Sequence, residues 1–444
     1  MEKHTVYLGA CPDYRPARIA DVIRRGFTHI HPKIPLAGHV VIKPNLVMAH
    51  TAVAPEGYTR KELLDGLLQT LPSISGDISR IDIVEKSGLG VTTSSMFKNA
   101  GYHDLRKKYG VGLRSMEEGP QIRVILEHGT VHDQVTVARE MAFRDFLIFT
   151  PKLKSNVLSH GLSAALKLNI GTIDSRERLH KHHHELPAKI VDLLEIANPD
   201  LIVTDGIRMA FGGNQMTEHG TPLGVIVMAA NAVAHDIVCA HLMNLNPDKI
   251  EHICEAVRRG YGPASLKDIE ITGDFPVEKA RTITKSLDLG FRPVHDVDCP
   301  LSIHSGNPYC TGGCHGIFLD WLYMIRDRKP RLFERLPAMT VLIGKVEKTV
   351  EDRRIVMIGN CAAESSGFRG RRVVRIRGCP PSHKRIVWDM LVHFLIFNPL
   401  VRPELIIDAY VRYPFKKIKG WLINLGRGKP VHRSVPSRAG AAHE

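Results

Sequence analysis

Five cysteines in the C-terminal third of the chain have a spacing that suits a metal or cluster site. Cys310 and Cys314 flank two glycines in the segment CTGGC, and Cys299 precedes them. Cys361 and Cys379 each follow a predicted strand. Four thiolates can bind zinc or an iron–sulfur cluster, and the glycines would let the loop wrap closely around either. We therefore expect Cys310, Cys314, Cys361 and Cys379 to converge, with Cys299 as a fifth neighbour or a substitute ligand.

The spacing favours an iron–sulfur cluster of the 4Fe–4S type, with zinc or no metal as the alternatives. Proline follows both Cys299 and Cys379, as it often does beside cluster ligands. The C-x2-C-x2-C-x3-C-P pattern of ferredoxins and the paired CxxC of a zinc ribbon are both missing from the sequence. Without a metal, one or two of these cysteines could still act as redox-active thiols.

Polar residues follow five apolar, strand-like runs in the first part of the chain. Ligands of open parallel sheets bind outside the carboxyl ends of the strands, so these residues predict one shared cleft. Several lysines in one cleft would favour an anionic ligand, a carboxylate or a phosphate. The alternative is that the lysines pair with acidic neighbours such as Glu85. The strand-end residues are Lys43, Asn45, Lys86, Lys152, Lys154, Asp205 and Asn231.

Apolar runs that alternate with amphipathic segments must position these residues. This alternation predicts an α/β fold with a mainly parallel sheet and helices on both faces. We expect this domain over residues 1–275, a smaller α+β region that bears the cysteines over 276–425, and a basic disordered tail over 426–444. Residues 121–126 and 131–137 have the pattern of a hairpin.

The positive charge of the chain supports a boundary near residue 275. The net charge is +14. Residues 1–274 hold 31 Lys and Arg against 31 Asp and Glu, and residues 275–444 hold 29 against 15. A basic surface can bind an acidic protein, nucleic acid or an anionic membrane, or can simply be solvated. Five arginines surround the Cys379 segment: Arg369, Arg371, Arg372, Arg375 and Arg377.

Several motifs in combination resemble the family known as domain of unknown function 362. They are VVIKPNLV, PKLKSN, ALKLNIGTI, TDGI, GGNQMTEHGTPLG and AANAVAHDIVCAHLMNLNP, and the resemblance covers roughly residues 5–275. The family implies an α/β domain that is often associated with iron–sulfur clusters in anaerobes. Lys167 and Asn169 match its ALKLNIG motif, Asn214 lies in its glycine-rich segment, and His160 and His180 match positions where it tends to carry histidine.

These observations predict an iron–sulfur redox enzyme that acts on an anionic small molecule. Asp205, His160 and Lys167 are the candidate acid–base residues. The strand-end lysines, Asn45, Asn169, Asn214 and Asn231 would bind the ligand. The alternatives are a binding module for an acidic partner or nucleic acid, and a metal-assisted lyase or isomerase.

The composition also bears on partners and location. Few aromatic residues accompany the arginines, which disfavours nucleic acid, so an acidic electron-carrier protein is the predicted partner. No apolar run reaches about 18 residues, which argues against a membrane span. The N-terminus lacks the apolar region of a signal peptide, and we expect a cytoplasmic protein.

Overall fold

The computed structural model describes residues 3–88, 90–159, 161–181, 185–216, 219–425 and 431. The predicted tail, residues 426–444, therefore falls almost wholly outside the described residues. The strands are β1 (His4–Ala10), β2 (His39–Pro44), β3 (Arg80–Glu85), β4 (Gly112–Ser115), β5 (Gln121–Ile125), β6 (Gln134–Ala138), β7 (Phe146–Thr150), β8 (Lys152–Lys154), β9 (Leu201–Phe211), β10 (His219–Ala229), β11 (Ile269–Gly273), β12 (Leu301–Ser305), β13 (Met339–Ile343), β14 (Val350–Ile358) and β15 (Phe368–Ile376).

Helices separate most of these strands. They are α1 (Pro16–Phe27), α2 (Lys61–Ile74), α3 (Thr93–Asn99), α4 (Tyr102–Tyr109), α5 (Arg139–Ala142), α6 (Ala165–Leu168), α7 (Ser175–Leu179), α8 (Leu186–Asp192), α9 (Leu194–Ala197), α10 (Ala232–Leu242), α11 (Glu251–Arg258), α12 (Val277–Lys285), α13 (Cys314–Arg328), α14 (Pro330–Glu334), α15 (His383–Phe394), α16 (Pro403–Ile407) and α17 (Tyr413–Asn424). A π-helical segment, Asp408–Arg412, joins α16 to α17.

The main sheet has nine strands and is mainly parallel, which confirms the predicted fold class. Its order is β11-β1-β10-β9-β7-β2-β3-β4, and β8 pairs with β9. The central strand β7, with the sequence FLIFT, is buried along its whole length, as expected of a parallel strand covered on both faces. The predicted hairpin forms a separate two-stranded sheet from β5 and β6.

One strand runs against the predicted direction. β10 is antiparallel to both of its neighbours, β1 and β9. Its carboxyl end therefore lies at the opposite edge of the sheet from the carboxyl ends of β2, β3 and β7. The apolar run of β10 resembles that of a parallel strand, so the sequence pattern did not distinguish the two directions.

The cysteine-bearing region contains a four-stranded sheet of its own. Its order is β12-β13-β14-β15, and every pairing in it is parallel. Helix α13 follows β12 and is buried along most of its length. The side chains of α13 belong to the same cluster of buried apolar residues as Leu153, Val157 and Leu158 of the first part. The apolar core is therefore continuous across residue 275.

The α1 and α2 helices illustrate how the sequence builds the outer layer. Pro16 occupies the first turn of α1, where a missing amide hydrogen costs nothing, and Ile19, Val22 and Ile23 form its buried face. Gly66 of α2 allows the close approach, because a β-carbon there would lie 2.4 Å from Ile19. Among the described residues, no helix is both long and apolar enough to span a membrane.

Candidate functional site

A cavity of about 360 Å³ lies at the carboxyl ends of β2, β3 and β8. The main sheet supplies one wall, and α13, α15, α17 and the π-helical segment supply residues to the other. Among the described residues that line it, seven side chains are cationic and only Glu85 is a carboxylate. The cations are Lys43, Lys86, Lys154, Lys167, Arg178, Lys384 and Lys417. This imbalance makes the cavity a strongly positive site.

Lys43 and Glu85 form a buried ion pair in the cavity wall. The Lys43 Nζ atom donates to Glu85 Oε2 at 2.8 Å. Burial lowers the pKa of Lys43 and raises the pKa of Glu85, while the attraction between the two charges opposes both shifts. The backbone of Gly171 packs directly on this pair, since a β-carbon there would lie 2.5 Å from Glu85 and 2.6 Å from Lys43. Lys43 therefore pairs with a carboxylate and also lines the cavity.

Lys154 and Lys167 form the part of the cavity where positive charge is least compensated. The Lys154 Nζ atom donates to the Gln215 carbonyl at 3.2 Å, and Lys167 Nζ donates to Asn156 Oδ1 at 2.6 Å. Burial, with nearby Lys152, lowers the pKa of Lys154 to about 8, although Asp320 opposes the shift. Burial and the nearby Lys154 hold the pKa of Lys167 well below its usual range. Both amines therefore release a proton more readily than an exposed lysine does.

Lys86 joins the cavity to the C-terminal helix α17. Its ammonium group lies 4.9 Å from the centre of the Tyr413 ring and 3.4 Å from the Tyr413 hydroxyl. It is buried and lies 3.9 Å from a Glu117 carboxylate oxygen. The Tyr413 hydroxyl also lies 3.0 Å from Ser175. Tyr413 therefore closes the cavity over Lys86.

Lys152 and Asp205 were predicted at the cleft but belong to a separate buried pair. Lys152 Nζ lies 3.1 Å from Asp205 Oδ2, and both side chains are fully buried. Tyr14 bridges them, with its hydroxyl 2.9 Å from Lys152 and 2.7 Å from Asp205. Neither residue is among the described residues that line the cavity. Asp205 lies inside β9 rather than after it, because that strand continues to Phe211.

We expect Lys152→Met to destabilise the protein strongly because it leaves the buried Asp205 carboxylate without its cation. Loss of one partner of a buried pair typically costs about 3–5 kcal/mol. Urea unfolding monitored by circular dichroism would measure this change. The matched control is Lys61→Met, which breaks the exposed Lys61–Asp104 pair at 2.8 Å and should cost less than about 1 kcal/mol. Equal losses of unfolding free energy in the two variants would contradict the assignment of Lys152 and Asp205 to a buried ion pair.

The predicted asparagines are divided among different places. Asn45 lines the cavity, and its amide donates to the Gly57 carbonyl at 3.1 Å. Asn231 instead caps α10 by accepting from the amides of residues 233 and 234. It follows the antiparallel strand β10 and therefore lies at the opposite edge of the sheet from the cavity. Asn214 bonds the Asp320 carbonyl, and its neighbour Gln215 reaches the cavity. Asn169 is fully buried, and neither polar atom of its side chain has a hydrogen-bond partner among the described residues.

The two predicted histidines have different outcomes. His160 lies outside the described residues. His180 is described and exposed, and its ring centre lies 5.3 Å from that of His132. The loop after β3 supplies Ser87, Gly88 and Gly90 to the cavity. The amides of Thr92 and Thr93 that follow it already donate to Asp408 and Glu117, so they do not offer a free phosphate site.

Four of the five candidate cysteines come together at the start of α13. Burial, together with the proximity of Cys310, Cys379 and Cys361, raises the pKa of the Cys314 thiol to about 12. The pKa of Cys379 is likewise raised by burial and by nearby Cys361. Cys299 does not contribute to these shifts; its thiol faces the Leu301 carbonyl at 4.0 Å. Cys314 is therefore the centre of a four-cysteine group.

Tight backbone turns hold this cysteine group together. Gly359 has a φ of 92°, and a β-carbon there would lie 2.5 Å from the Cys314 sulfur. The amide of Asn360 donates to the Gly378 carbonyl at 3.0 Å, which ties the segment of Cys361 to that of Cys379. Four thiols from three segments, with glycine backbone against sulfur, suit a cluster bound by four thiolates. Among the described residues, no group of three or more His, Cys, Asp or Glu side chains is arranged to hold a metal ion.

The cavity and the cysteine group share a helix and a loop. Ile317 of α13 lines the cavity one turn after Cys314, and His383 lines it four residues after Cys379. His383 Nε2 lies 2.8 Å from Asp320 Oδ2 on α13, and Asp320 Oδ1 accepts from the Gln215 amide at 2.8 Å. Asp320 thus connects α13, the helix that begins at Cys314, to two residues of the cavity wall.

Sequence reasoning missed four of the residues that shape the cavity. Arg178 follows the ALKLNIG motif, but its position carried no strand-end signal. Lys384, Tyr413 and Lys417 come from C-terminal helices that fold back over the sheet. Their approach depends on contacts more than 200 residues apart in the chain, such as that between Lys86 and Tyr413, so no local pattern could have identified them.

Comparison with known proteins identifies the region that carries most of the cavity. Residues 40–241 match the family described as "Domain of unknown function (DUF362)", which confirms the resemblance seen in the sequence. No curated protein matches the chain.

Two solved structures are distantly similar to the chain. The lactate racemase apoprotein from Thermoanaerobacterium thermosaccharolyticum has a TM-score of 0.35 and 10% identity, over 78% of this chain and 70% of its own. A protein from Thermotoga maritima has a TM-score of 0.32 and 12% identity, over 75% and 72%.

Proposed function

We propose that this protein, whose residues 40–241 form a DUF362 region, is an iron–sulfur redox enzyme that acts on an anionic small molecule. One observation carries the proposal: a cavity whose described lining holds seven cations and one carboxylate lies beside four converging cysteines. The cations would bind the substrate, and the cysteines would hold the redox group. Helix α13 begins at a cysteine and lines the cavity one turn later, so the two groups are neighbours.

The substrate would be a small carboxylate or phosphate ester. An anion beside Lys154 and Lys167 would receive charge-assisted hydrogen bonds from two ammonium groups that no carboxylate neutralises directly. Its charge would also raise the pKa of both lysines and so favour their protonated forms. Asn45, which lines the cavity, would help to orient it; Asn169 is fully buried and is not among the described residues that line the cavity.

Lys167 is the best candidate for proton transfer. Burial and nearby Lys154 depress its pKa, so its ammonium group releases a proton more readily than that of an exposed lysine. The group donates to Asn156 Oδ1 at 2.6 Å, which holds it in place. Asp205, the earlier candidate, is occupied by Lys152 and Tyr14. His160 stays a prediction because it lies outside the described residues.

Cys310, Cys314, Cys361 and Cys379 would hold the cluster as thiolates. When bound, a 4Fe–4S cluster would supply one-electron transfer to or from the cavity. The surrounding glycine backbone would orient the sulfurs and influence the potential through amide hydrogen bonds. Cys379 is exposed, and the neighbouring arginines of β15 are exposed as well, so an acidic electron-carrier protein could dock there.

Iron and sulfide analysis of anaerobically purified protein tests the proposed cofactor. We expect about four iron and four sulfide atoms per chain. One zinc per chain would instead favour a structural metal site and the non-redox lyase or isomerase. A chain that lacks both metals, and still lacks iron after anaerobic reconstitution with iron and sulfide, would overturn the redox proposal.

Anion affinity should fall as the pH rises through about 8, the pKa of Lys154. Affinity falls because, in the free protein, the Lys154 amine is protonated below this pKa and attracts an anion. Above this pKa the amine is neutral. Between about pH 7 and pH 9 the dissociation constant of sulfate, whose own charge is constant there, should rise about tenfold. Isothermal titration calorimetry would measure it, and Lys154→Met should bind sulfate more weakly and lose the part of the pH dependence that is centred near pH 8. A flat profile in the native protein would contradict the role of Lys154.

A further inference from the structure

The C-terminal helices present their apolar side to the outside of the molecule. Phe415 is 75% exposed and Trp421 is 62% exposed, although both are large apolar side chains. Such residues normally lie inside a soluble fold, and a contiguous exposed group of them usually marks a binding surface. The exposed apolar residues of α16, the π-helical segment and α17 are Ile406, Ile407, Tyr410, Val411, Phe415, Ile418, Trp421, Leu422 and Leu425.

Polar contacts fix these helices in this orientation. Asp408 faces inward and accepts from the Thr92 amide at 2.6 Å and from the Thr92 hydroxyl at 2.8 Å. Lys416 pairs with Glu118 at 2.6 Å, and Asn424 accepts from the amide of residue 121 at 2.8 Å. Gly420 lies against the Glu117 carbonyl, where a β-carbon would not fit. The polar side of these helices therefore packs against the rest of the protein, and their apolar side is available to a partner.

Helix α15 and the residues after it extend the same surface. The Trp388 ring lies 6.3 Å from the Tyr410 ring, which joins α15 to the π-helical segment. Val392 is 53% exposed and Leu395 is 73% exposed. We call this combined surface, with its exposed apolar residues from 388 to 425, the apolar face.

Positive charge borders the apolar face. Lys384, Arg385, Arg412 and Lys419 are exposed. Residues 383–425 contain seven Lys and Arg against three Asp and Glu, and residues 426–444 add four against one. Of those three acids, Asp408 is buried, Asp389 pairs with Arg385, and Glu404 pairs with Arg402. A partner of opposite charge would therefore be anionic.

We propose that the apolar face binds the surface of an anionic lipid bilayer. Exposed Trp and Phe side chains next to lysine and arginine are the composition of segments that lie in the membrane interface. The apolar side chains would enter the headgroup boundary while the cations contact lipid phosphates. A second copy of the chain fits less well, because pairing two such faces would bring like charges together.

Co-sedimentation with vesicles tests this surface on the full chain. We expect binding to phosphatidylcholine vesicles that contain about 30% phosphatidylglycerol, and weaker binding to phosphatidylcholine alone or at high salt. The variant Phe415→Glu/Trp421→Glu should bind the anionic vesicles at least about tenfold more weakly, because both charges would have to enter the interface. The matched control is Phe143→Glu, which changes a 54% exposed phenylalanine outside the face.

Two outcomes would overturn the membrane proposal. One is a native chain that fails to sediment with either vesicle type. The other is a native dimer, seen by light scattering, that the double variant converts to a monomer, which would assign the face to contact between copies. Circular dichroism melting of both variants checks that they fold, and the outward position of Phe415 and Trp421 predicts unchanged melting temperatures. A lower melting temperature for the double variant alone would mean that these side chains pack in the fold, which contradicts a free surface.

Discussion

Replacing Cys314 with serine should remove almost all iron from anaerobically purified protein, from about four atoms per chain to below one. Cys314 is the thiol that the other three cysteines surround, and Gly359 packs directly against its sulfur. Serine is a poor ligand for iron, and the loss of one of four thiolates leaves an incomplete set. Iron, sulfide and the visible absorption of the cluster would measure the change.

Cys254→Ser is the matched control for this variant. Cys254 is exposed on α11 and bonds the carbonyls of Pro247 and Asp248, away from the cysteine group. It should keep its full iron content. Cys299→Ser should also keep it, since Cys299 is not among the cysteines whose proximity raises the pKa of Cys314. Full iron content in Cys314→Ser would contradict the four-cysteine site.

Lys154→Met combined with Lys167→Met should weaken sulfate binding about 100-fold or more. Each lysine supplies a charged hydrogen bond worth about 1.5–3 kcal/mol, and the two together account for a change of that size. Methionine keeps most of the side-chain volume, and neither lysine pairs directly with a carboxylate, so no buried acid loses its partner. Isothermal titration calorimetry near neutral pH would measure the dissociation constant.

Lys98→Met combined with Lys107→Met removes the same total charge from exposed positions on α3 and α4. This control should leave sulfate affinity within about twofold of the native value, because exposed charges are screened by solvent and salt. Similar losses of sulfate affinity in the two double variants would mean that binding depends only on net charge. That result would contradict a binding site in the cavity.

The parts of the site that follow from sequence are those set by local pattern. Lys43, Lys86 and Lys154 follow buried runs whose strands are parallel, so the rule for strand ends placed them correctly at one cavity. The convergence of Cys310 with Cys314 follows from their short spacing. Cys361 and Cys379 join them because β14 and β15 are adjacent parallel strands that end together.

The predictions that were wrong concern strand direction and tertiary contacts, which local sequence pattern does not determine. An apolar run such as β10 fits either strand direction. Because β10 is antiparallel to its neighbours, Asn231 lies at the opposite edge of the sheet from the cavity. Lys152 precedes Lys154 by two residues and has the same local signal, but only tertiary contacts decide that Lys152 meets Asp205. The wall formed by Lys384, Tyr413 and Lys417 depends on long-range docking of α15 and α17.

The most direct test of the central claim is the reduction potential of the bound cluster, measured with and without saturating sulfate. If the lysine cavity and the cysteine group form one redox site, the added negative charge should disfavour reduction and lower the potential. The shift should vanish in the variant that lacks both Lys154 and Lys167. A cluster potential that saturating sulfate leaves unchanged in the native protein would contradict a shared site.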